Sequence, residues 1–238
     1  MFLNMFRFKQ FSVKQDKAAM KVGTDGVLLG SWTPLENNPY SILDIGTGTG
    51  LVALMLAQRS SAEQIDAIEI EENAYEQAVE NFEESPWNDR LFCYHAGLDE
   101  FVEEIDDKYD LIVCNPPFFE SNNQIENQAR EAARFNEILP FDELIEGASA
   151  LLSDKGIFSV IIPFEEEENF ISIAKEFGLF PFKLTHIKGT PISKIKRSLI
   201  AFSLLEKEIS KNSLTLEIER HHYTPEFTEL VKDFYLKL

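Results

Sequence analysis

The residues best suited to chemistry are Asn115, Pro116, Pro117 and Phe118, which follow the apolar run Tyr109–Cys114. That run reads as a short buried strand. Both prolines lack an N–H and hold φ near −65°, so the ladder must stop there. Pro116 also biases Asn115 toward an extended conformation. The result is a stiff corner with one amide side chain and a free carbonyl at the carboxyl end of a strand, and an aromatic ring close behind. Such a corner can grip the amino group of a planar molecule. It can equally be a proline-stiffened turn between a strand and a helix, so other residues must discriminate.

A second constellation lies upstream. Ser41–Ile45 reads as a strand and runs into Gly46-Thr47-Gly48-Thr49-Gly50, then a helix from Leu51 to Gln58. Strand, glycine turn and helix form a nucleotide-cradling geometry. The glycine spacing is not that of the dinucleotide fingerprint, and there is no Gly-Lys-Ser/Thr for a P-loop. Asp44 opens the loop with a negative charge, which disfavours a pyrophosphate and welcomes a cationic group. S-adenosylmethionine, with its ammonium and cationic sulfur, fits that description. Glu69 ends the next strand, Gln64–Ile70, 19 residues beyond Gly50, where an acid can receive two ribose hydroxyls. Asp99 follows the third strand, Leu91–His95, and either accepts from an adenine amino group or caps the helix near Phe101–Ile105.

These pieces need elements to hold them. Phe6 to Val13 alternates as a strand or hairpin would. Thr24 or Asp25 can cap a short helix with Val27, Leu28 and Trp32 inward, and Gly23 and Gly26 allow close backbone approach. After the proline corner, residues 120–137 are polar and poorly periodic. Then come a helix Phe141–Leu151, a strand Gly156–Pro163, and a helix beginning at Glu165–Glu168 and ending near Phe177-Gly178. Strands near Phe180–Ile187 and Ser198–Leu205 flank the basic turn Lys188–Lys194. A strand-like piece Leu214–Ile218 precedes a helix from about Thr224 to Leu236. The alternation of strands and helices predicts one mostly parallel, doubly wound α/β sheet, with ligands at the carboxyl ends of its strands. The first and fourth of these parallel strands, Ser41–Ile45 and Tyr109–Cys114, become neighbours if the strand order reverses beside the first. The glycine loop and the proline corner then face one crevice.

Composition bounds the partners. The chain has 238 residues, 44% of them apolar, enough for one sizeable core. No apolar run is long enough to span a bilayer, and the N-terminus does not read as a signal peptide. Cys93 and Cys114 sit in strand-like runs as small core residues, in keeping with a reducing cytoplasm. His221 and His222 are adjacent, and no spacing resembles a metal site. The net charge of −19 argues against a nucleic acid, but its distribution does not. Residues 1–24 carry +4 and residues 183–197 carry +5, so the remainder carries −28. Two basic islands on an acidic body can hold phosphates locally, or simply solubilise exposed strands.

Asp44 to Gly50, Glu69 and Asn115-Pro116-Pro117-Phe118 together resemble the Rossmann-like class I S-adenosylmethionine-dependent methyltransferases. The Asn-Pro-Pro-aromatic element resembles the subset that methylates exocyclic or amide nitrogens. Lys21–Trp32, and the close of the chain, Tyr223–Phe227 with Asp233–Leu236, are similar to the bacterial tRNA(Val) adenine-N6 methyltransferases, which modify the adenine just 3′ of the anticodon. One departure is that the acid after the third strand comes late, at Asp99. The resemblance implies a seven-stranded, mostly parallel sheet with helices on both faces in one domain over 1–238, with an N-terminal extension over 1–33. It implies catalytic roles for Asn115, Pro116, Pro117 and Phe118. Contacts to S-adenosylmethionine are implied for Lys21, Thr24, Asp25, Asp44, Gly46, Gly48, Gly50, Glu69, Asp99 and Asn115. Contacts to a tRNA anticodon stem-loop are implied for Arg7, Lys9, Lys14, Lys17, Arg134, Lys188, Lys194, Lys196 and Arg197. A cytoplasmic monomer without metal completes the expectation. Guanine-N2 rRNA methyltransferases and glutamine-N5 protein methyltransferases share the Asn-Pro-Pro-aromatic element, and a non-catalytic RNA-binding protein on the same fold is a further reading.

Overall fold

In the computed structural model, which describes residues 5–116 and 139–237, an eight-stranded sheet runs in the order β10-β8-β9-β7-β6-β3-β4-β5. Its strands are β3 (Ser41–Ile45), β4 (Gln64–Glu69), β5 (Leu91–His95), β6 (Tyr109–Cys114), β7 (Leu152–Pro163), β8 (Phe180–Lys188), β9 (Ile195–Ser203) and β10 (Ser210–Thr215). Pairing is parallel from β7 through β6, β3 and β4 to β5 and between β10 and β8, and antiparallel where β9 enters between β7 and β8. The order does reverse beside β3, which hydrogen-bonds to both β4 and β6. Beyond the seven expected strands, β10 adds an eighth. Its residues, Ser-Lys-Asn-Ser-Leu-Thr, bury only Leu214 and so carry no apolar alternation to read.

Along each central strand, side chains alternate between two cores because successive residues point to opposite faces. Ile42, Ile65, Leu111, Val113, Ile157, Ile161, Leu199 and Ala201 enter one core. Leu43, Ile45, Ile68, Ile112, Cys114, Phe158, Val160, Ile162, Ile200 and Phe202 enter the other. Helices α1 (Thr24–Trp32), α2 (Leu51–Arg59) and α3 (Glu72–Glu83) cover the first face. Helices α4 (Leu98–Glu104), α5 (Phe141–Leu151) and α6 (Glu167–Glu176) cover the second. Both cysteines are free thiols that burial pushes upward in pKa, so they behave as inert core residues. No helix among the described residues is long and apolar enough to cross a membrane.

The chain ends meet on the first face. A hairpin of β1 (Met5–Arg7) and β2 (Ser12–Lys14) buries Phe8, Phe11 and Val13. Phe8 bridges to Tyr235, and the Lys9 N–H donates to the Phe234 carbonyl at 2.8 Å. This pairing explains why the last helix, α7 (Pro225–Val231), is shorter than the periodicity to Leu236 suggests. Thr224 caps its start by accepting from the Phe227 N–H, and the segment beyond Val231 is drawn into pairing with the N-terminus. Between α7 and β10 lies a small ribbon, β11 (Glu217–Glu219) with β12 (His222–Tyr223).

Candidate active site

The glycine loop follows β3 and all three of its glycines are left-handed, with φ of 67° at Gly46, 58° at Gly48 and 80° at Gly50. Only glycine adopts that region without cost. Gly50 has a second reason: an added Cβ would lie 2.5 Å from the Phe82 ring on α3. At Gly48 nothing lies within 4 Å of that position, so the loop is open there. Gly46 and Thr47 both donate their N–H to the Ile68 carbonyl, which ties the loop to β4.

Two buried carboxylates hold the loop from below. Asp44 Oδ2 accepts from the Thr47 hydroxyl at 2.7 Å and from the Ala53 N–H at 3.1 Å. Glu69 accepts from the Gly48 N–H at 2.8 Å and from the Glu71 N–H at 2.9 Å. Burial pushes the Asp44 carboxyl up to about 6, opposed by its hydrogen bonds and reinforced by the charge of Glu69. Burial also raises Glu69, against the backbone N–H groups that it accepts from. Neither takes part in any ion pair among the described residues. A cation delivered by a ligand is the natural complement of such a pair.

From Gly46 and Glu69 a cavity of about 460 Å³ opens between α4 and α5, past Ile70, Gly97, Asp99 and Val102. That volume suits a nucleoside-sized group. Asp99 is exposed in the first turn of α4 and lines the cavity. The N-cap of α4 is Gly97 with no side-chain cap, so the capping alternative for Asp99 is not realised.

Asn115 and Pro116 leave β6 beside β3, with Asn115 half-buried and Pro116 buried. Pro117, Phe118 and Arg134, with the rest of 117–138, lie outside the described residues. Helix α1 approaches Asn115 directly: a Cβ at Gly26 would lie 3.8 Å from the Asn115 amide nitrogen and 3.0 Å from Leu51. The cap of α1 is Gly23, without a side-chain hydrogen bond, rather than Thr24 or Asp25. Thr24 and Lys21 are exposed. Asp25 instead accepts from the Arg197 Nε at 2.9 Å, which ties α1 to the start of β9.

The two basic islands fare differently. Lys14 pairs with Glu84, and Lys17 with Glu76 and Glu80, all in or just beyond α3. Lys9 donates to the Lys232 carbonyl at 2.5 Å, and Arg7 is exposed on β1. Around the β8–β9 turn, Lys194 and Lys196 are exposed and Lys188 is half-buried. Lys183 of that stretch turns inward, with Nζ 4.6 Å from the Trp32 ring centroid.

Sequence reasoning missed Gln77 and Asn81, which are fully or almost fully buried. The Asn81 amide accepts from the Lys14 N–H at 2.8 Å and donates to the carbonyls of Lys14 and Thr49. Gln77 accepts from the N–H groups of Asp16 and Lys17. These two side chains fasten the N-terminal segment, and Asn81 also fastens the glycine loop. Their signal was available: they share the inner face of α3 with Ala74, Ala78 and Phe82, at helical spacing.

Among the described residues, no group of His, Cys, Asp and Glu is arranged to hold a metal ion. Residues 26–180 match the model of the methyltransferase small domain family. A protein of Flavobacterium johnsoniae is 64% identical over 235 residues, spanning 98% of this chain and all of that one, and is named tRNA1(Val) (adenine(37)-N6)-methyltransferase. A protein of Trichodesmium erythraeum with the same name is 47% identical over 98% of both chains. Among solved structures, a predicted O-methyltransferase of Agrobacterium tumefaciens superposes with a TM-score of 0.69 at 20% identity, covering 88% of this chain and 96% of that one. TYW2 of Pyrococcus horikoshii in complex with MeSAdo superposes with a TM-score of 0.56 at 17% identity, covering 83% and 70%. At these identities the two structures speak for the fold.

The loop geometry separates two substitutions. Gly48→Ala is expected to cost about 1–2 kcal/mol, the left-handed penalty alone. Gly50→Ala is expected to cost more, because the Phe82 ring must also move; equal losses in urea unfolding would contradict the packing described. Asp44 sets a pH dependence. Between its ordinary value and about 6 the folded chain holds the proton that the unfolded chain has released, so stability falls as pH rises through that window. Relative to Asp44→Asn, the protein is expected to lose about 2 kcal/mol between pH 4 and pH 7. Parallel pH profiles of the two proteins would disprove it.

Proposed function

Because the chain belongs to the methyltransferase small domain family, and with its full-length relatives to the tRNA1(Val) (adenine(37)-N6)-methyltransferases, we propose that it methylates N6 of the adenine 3′ of the anticodon in tRNA(Val). The observation that carries the reading is the adjacency of β3 and β6, with the glycine loop at the end of one and Asn115-Pro116 at the end of the other. S-adenosylmethionine is the cofactor, and when bound it supplies an electrophilic methyl group on a cationic sulfur. The residues present fit it: three glycines without side chains, open space above Gly48, and carboxylates at Asp44 and Glu69 that lack a cation. Asp44 would act on the ammonium through the loop it braces, Glu69 would receive the ribose hydroxyls, and Asp99 would meet the adenine end of the cavity. Gly46, Gly48 and Gly50 would let the loop backbone pass close to the cofactor, with Thr24 and Asp25 of α1 and Lys21 just before it as further contacts.

An aromatic amine nitrogen is a poor nucleophile because its lone pair is delocalised into the ring. Hydrogen bonds from the substrate amino group to the Asn115 side-chain oxygen and the Pro116 carbonyl favour a pyramidal nitrogen with its lone pair directed. The chain's task is alignment and electrostatics, and no general base is required. Pro117 stiffens the corner, and Phe118 stacks on the adenine, a contact worth about 1–3 kcal/mol. An adenine in a loop has no pairing to break, so it turns out of its stack at less than the few kcal/mol that a duplex base costs. The stem-loop is held by Lys188, Lys194 and Lys196 of the basic turn, with Arg7, Lys9 and Arg134 as further phosphate contacts, while Lys14, Lys17 and Arg197 are engaged by Glu84, Glu76, Glu80 and Asp25. The chain acts over 1–238 as one methyltransferase domain, a cytoplasmic monomer that uses no metal.

Incubation with labelled S-adenosylmethionine and total tRNA, followed by nucleoside mass spectrometry, is expected to yield N6-methyladenine in tRNA(Val). N2-methylguanine as the sole product would overturn the adenine assignment. Asn115→Ala is expected to keep cofactor affinity and lose ~10²-fold or more in kcat; an unchanged rate would remove Asn115 from its role.

A further inference from the structure

The β8–β9 turn is built unlike an ordinary solvated loop. Ser193 donates its N–H to the Thr190 carbonyl at 3.0 Å, and Thr190 donates its own to the Ser193 hydroxyl at 3.1 Å. The two hydroxyls lie 2.6 Å apart. The flanks are fastened as well. Leu216 and Glu217 donate N–H groups to the carbonyls of Lys188 and Gly189, both at 2.9 Å. Below the turn, His186 and Ser198 pair across the strands, and each hydrogen-bonds Glu167. At the tip of this rigid frame stands Ile192, 97% exposed.

A single exposed apolar residue is ordinary on a protein surface. Two further observations set this one apart. It sits in residues 183–197, which carry five cations and no acid in a chain of net charge −19. It also projects from the carboxyl-end face of the sheet, beside the Asn115 corner. Cys114 pairs with Val160, and Arg197 pairs with Pro163, three residues further along β7. With strands ~4.8 Å apart and ~3.3 Å per residue, the turn begins roughly 10 Å beyond Cys114 and roughly 10 Å to the side. The Arg197–Asp25 ion pair fixes that relation, because α1 is the helix whose Gly26 faces the Asn115 amide.

We propose that Ile192 is a wedge that enters the anticodon loop and fills the stack vacated when the target adenine turns toward Asn115, with Lys188 and Lys194 on the flanking phosphates. The inference rests on the tRNA-methyltransferase reading above. Apolar wedges between bases lower the cost of keeping a base unstacked, because the gap is filled by carbon rather than by water. Cations beside such a wedge supply affinity without sequence. The division of labour is distinct: Ile192 acts on the position of the base, the lysines on the binding of the backbone.

The test uses the full chain and a tRNA(Val) anticodon stem-loop, with methylation kinetics and with 2-aminopurine at the target position as a fluorescent report of unstacking. Ile192→Ser is expected to lower kcat about tenfold or more and to diminish the fluorescence rise on binding, with cofactor affinity unchanged; Ile192→Leu should restore both. Lys194→Gln is expected to raise KM and to lower the slope of log affinity against log salt by about 1, with kcat retained. If wild type methylates the stem-loop and Ile192→Ser does so at the same kcat with the same fluorescence rise, the wedge is wrong while the function stands. If wild type binds S-adenosylmethionine but methylates no tRNA, both readings fall together.

Discussion

Two buried carboxylates with no ion-pair partner among the described residues govern this structure. Asp44 and Glu69 are buried near the carboxyl ends of adjacent parallel strands, and burial raises both pKa values. Their hydrogen bonds go to the glycine loop and the helix start beside them, so the charges that would otherwise cost stability also shape the loop. An apolar pair at these positions would pack better and hold nothing. Any cation brought beside them would relieve that charge, and a ligand that binds only the folded loop would stabilise it.

From that pair outward, each element has a positioning task. Helix α3 supports the loop through Phe82 beneath Gly50 and Asn81 on the Thr49 carbonyl, and the same Asn81 fastens the N-terminal segment. That segment leads into α1, whose glycine face meets Asn115 and whose Asp25 reaches Arg197 on β9. The glycine loop, Asn115 and the basic turn are thereby connected through the buried amides of Gln77 and Asn81 and one ion pair. The cavity wall carries the acids Glu103, Glu143 and Glu146, a field that disfavours a polyanion at that mouth.

Much of the fold was readable. The ranges of β3, β5, β6 and α5 match the apolar runs that announced them, because β3, β6 and α5 bury a strong apolar pattern and β5, though mostly exposed, is an aromatic and apolar run closed by Ala96-Gly97. Strand β10 was legible only as its end, Leu214, since an edge strand facing solvent needs no apolar pattern. The C-terminal helix was overextended because Phe234 and Tyr235 continue the helical spacing while their backbone pairs with the N-terminus. Gln77 and Asn81 were visible as polar residues on an apolar helix face, a pattern that signals buried polar partners before the partners are known.

The chemistry of the site was written locally. The left-handed glycines impose their geometry through backbone sterics over a few residues, so their types and spacing pointed to a cofactor loop, while the corner at Asn115 by itself left an amine clamp and a stiff turn both open. What the basic residues do was decided only by the fold. Lys14 and Lys17 spend their charge on α3, Lys183 turns onto Trp32, Arg197 clasps Asp25, and the turn between them carries Ile192 outward. A long flexible cation takes whichever carboxylate, ring or phosphate the packed chain brings within reach. Those partners lie from about sixty to over a hundred and seventy residues away, a separation on which local sequence has no hold.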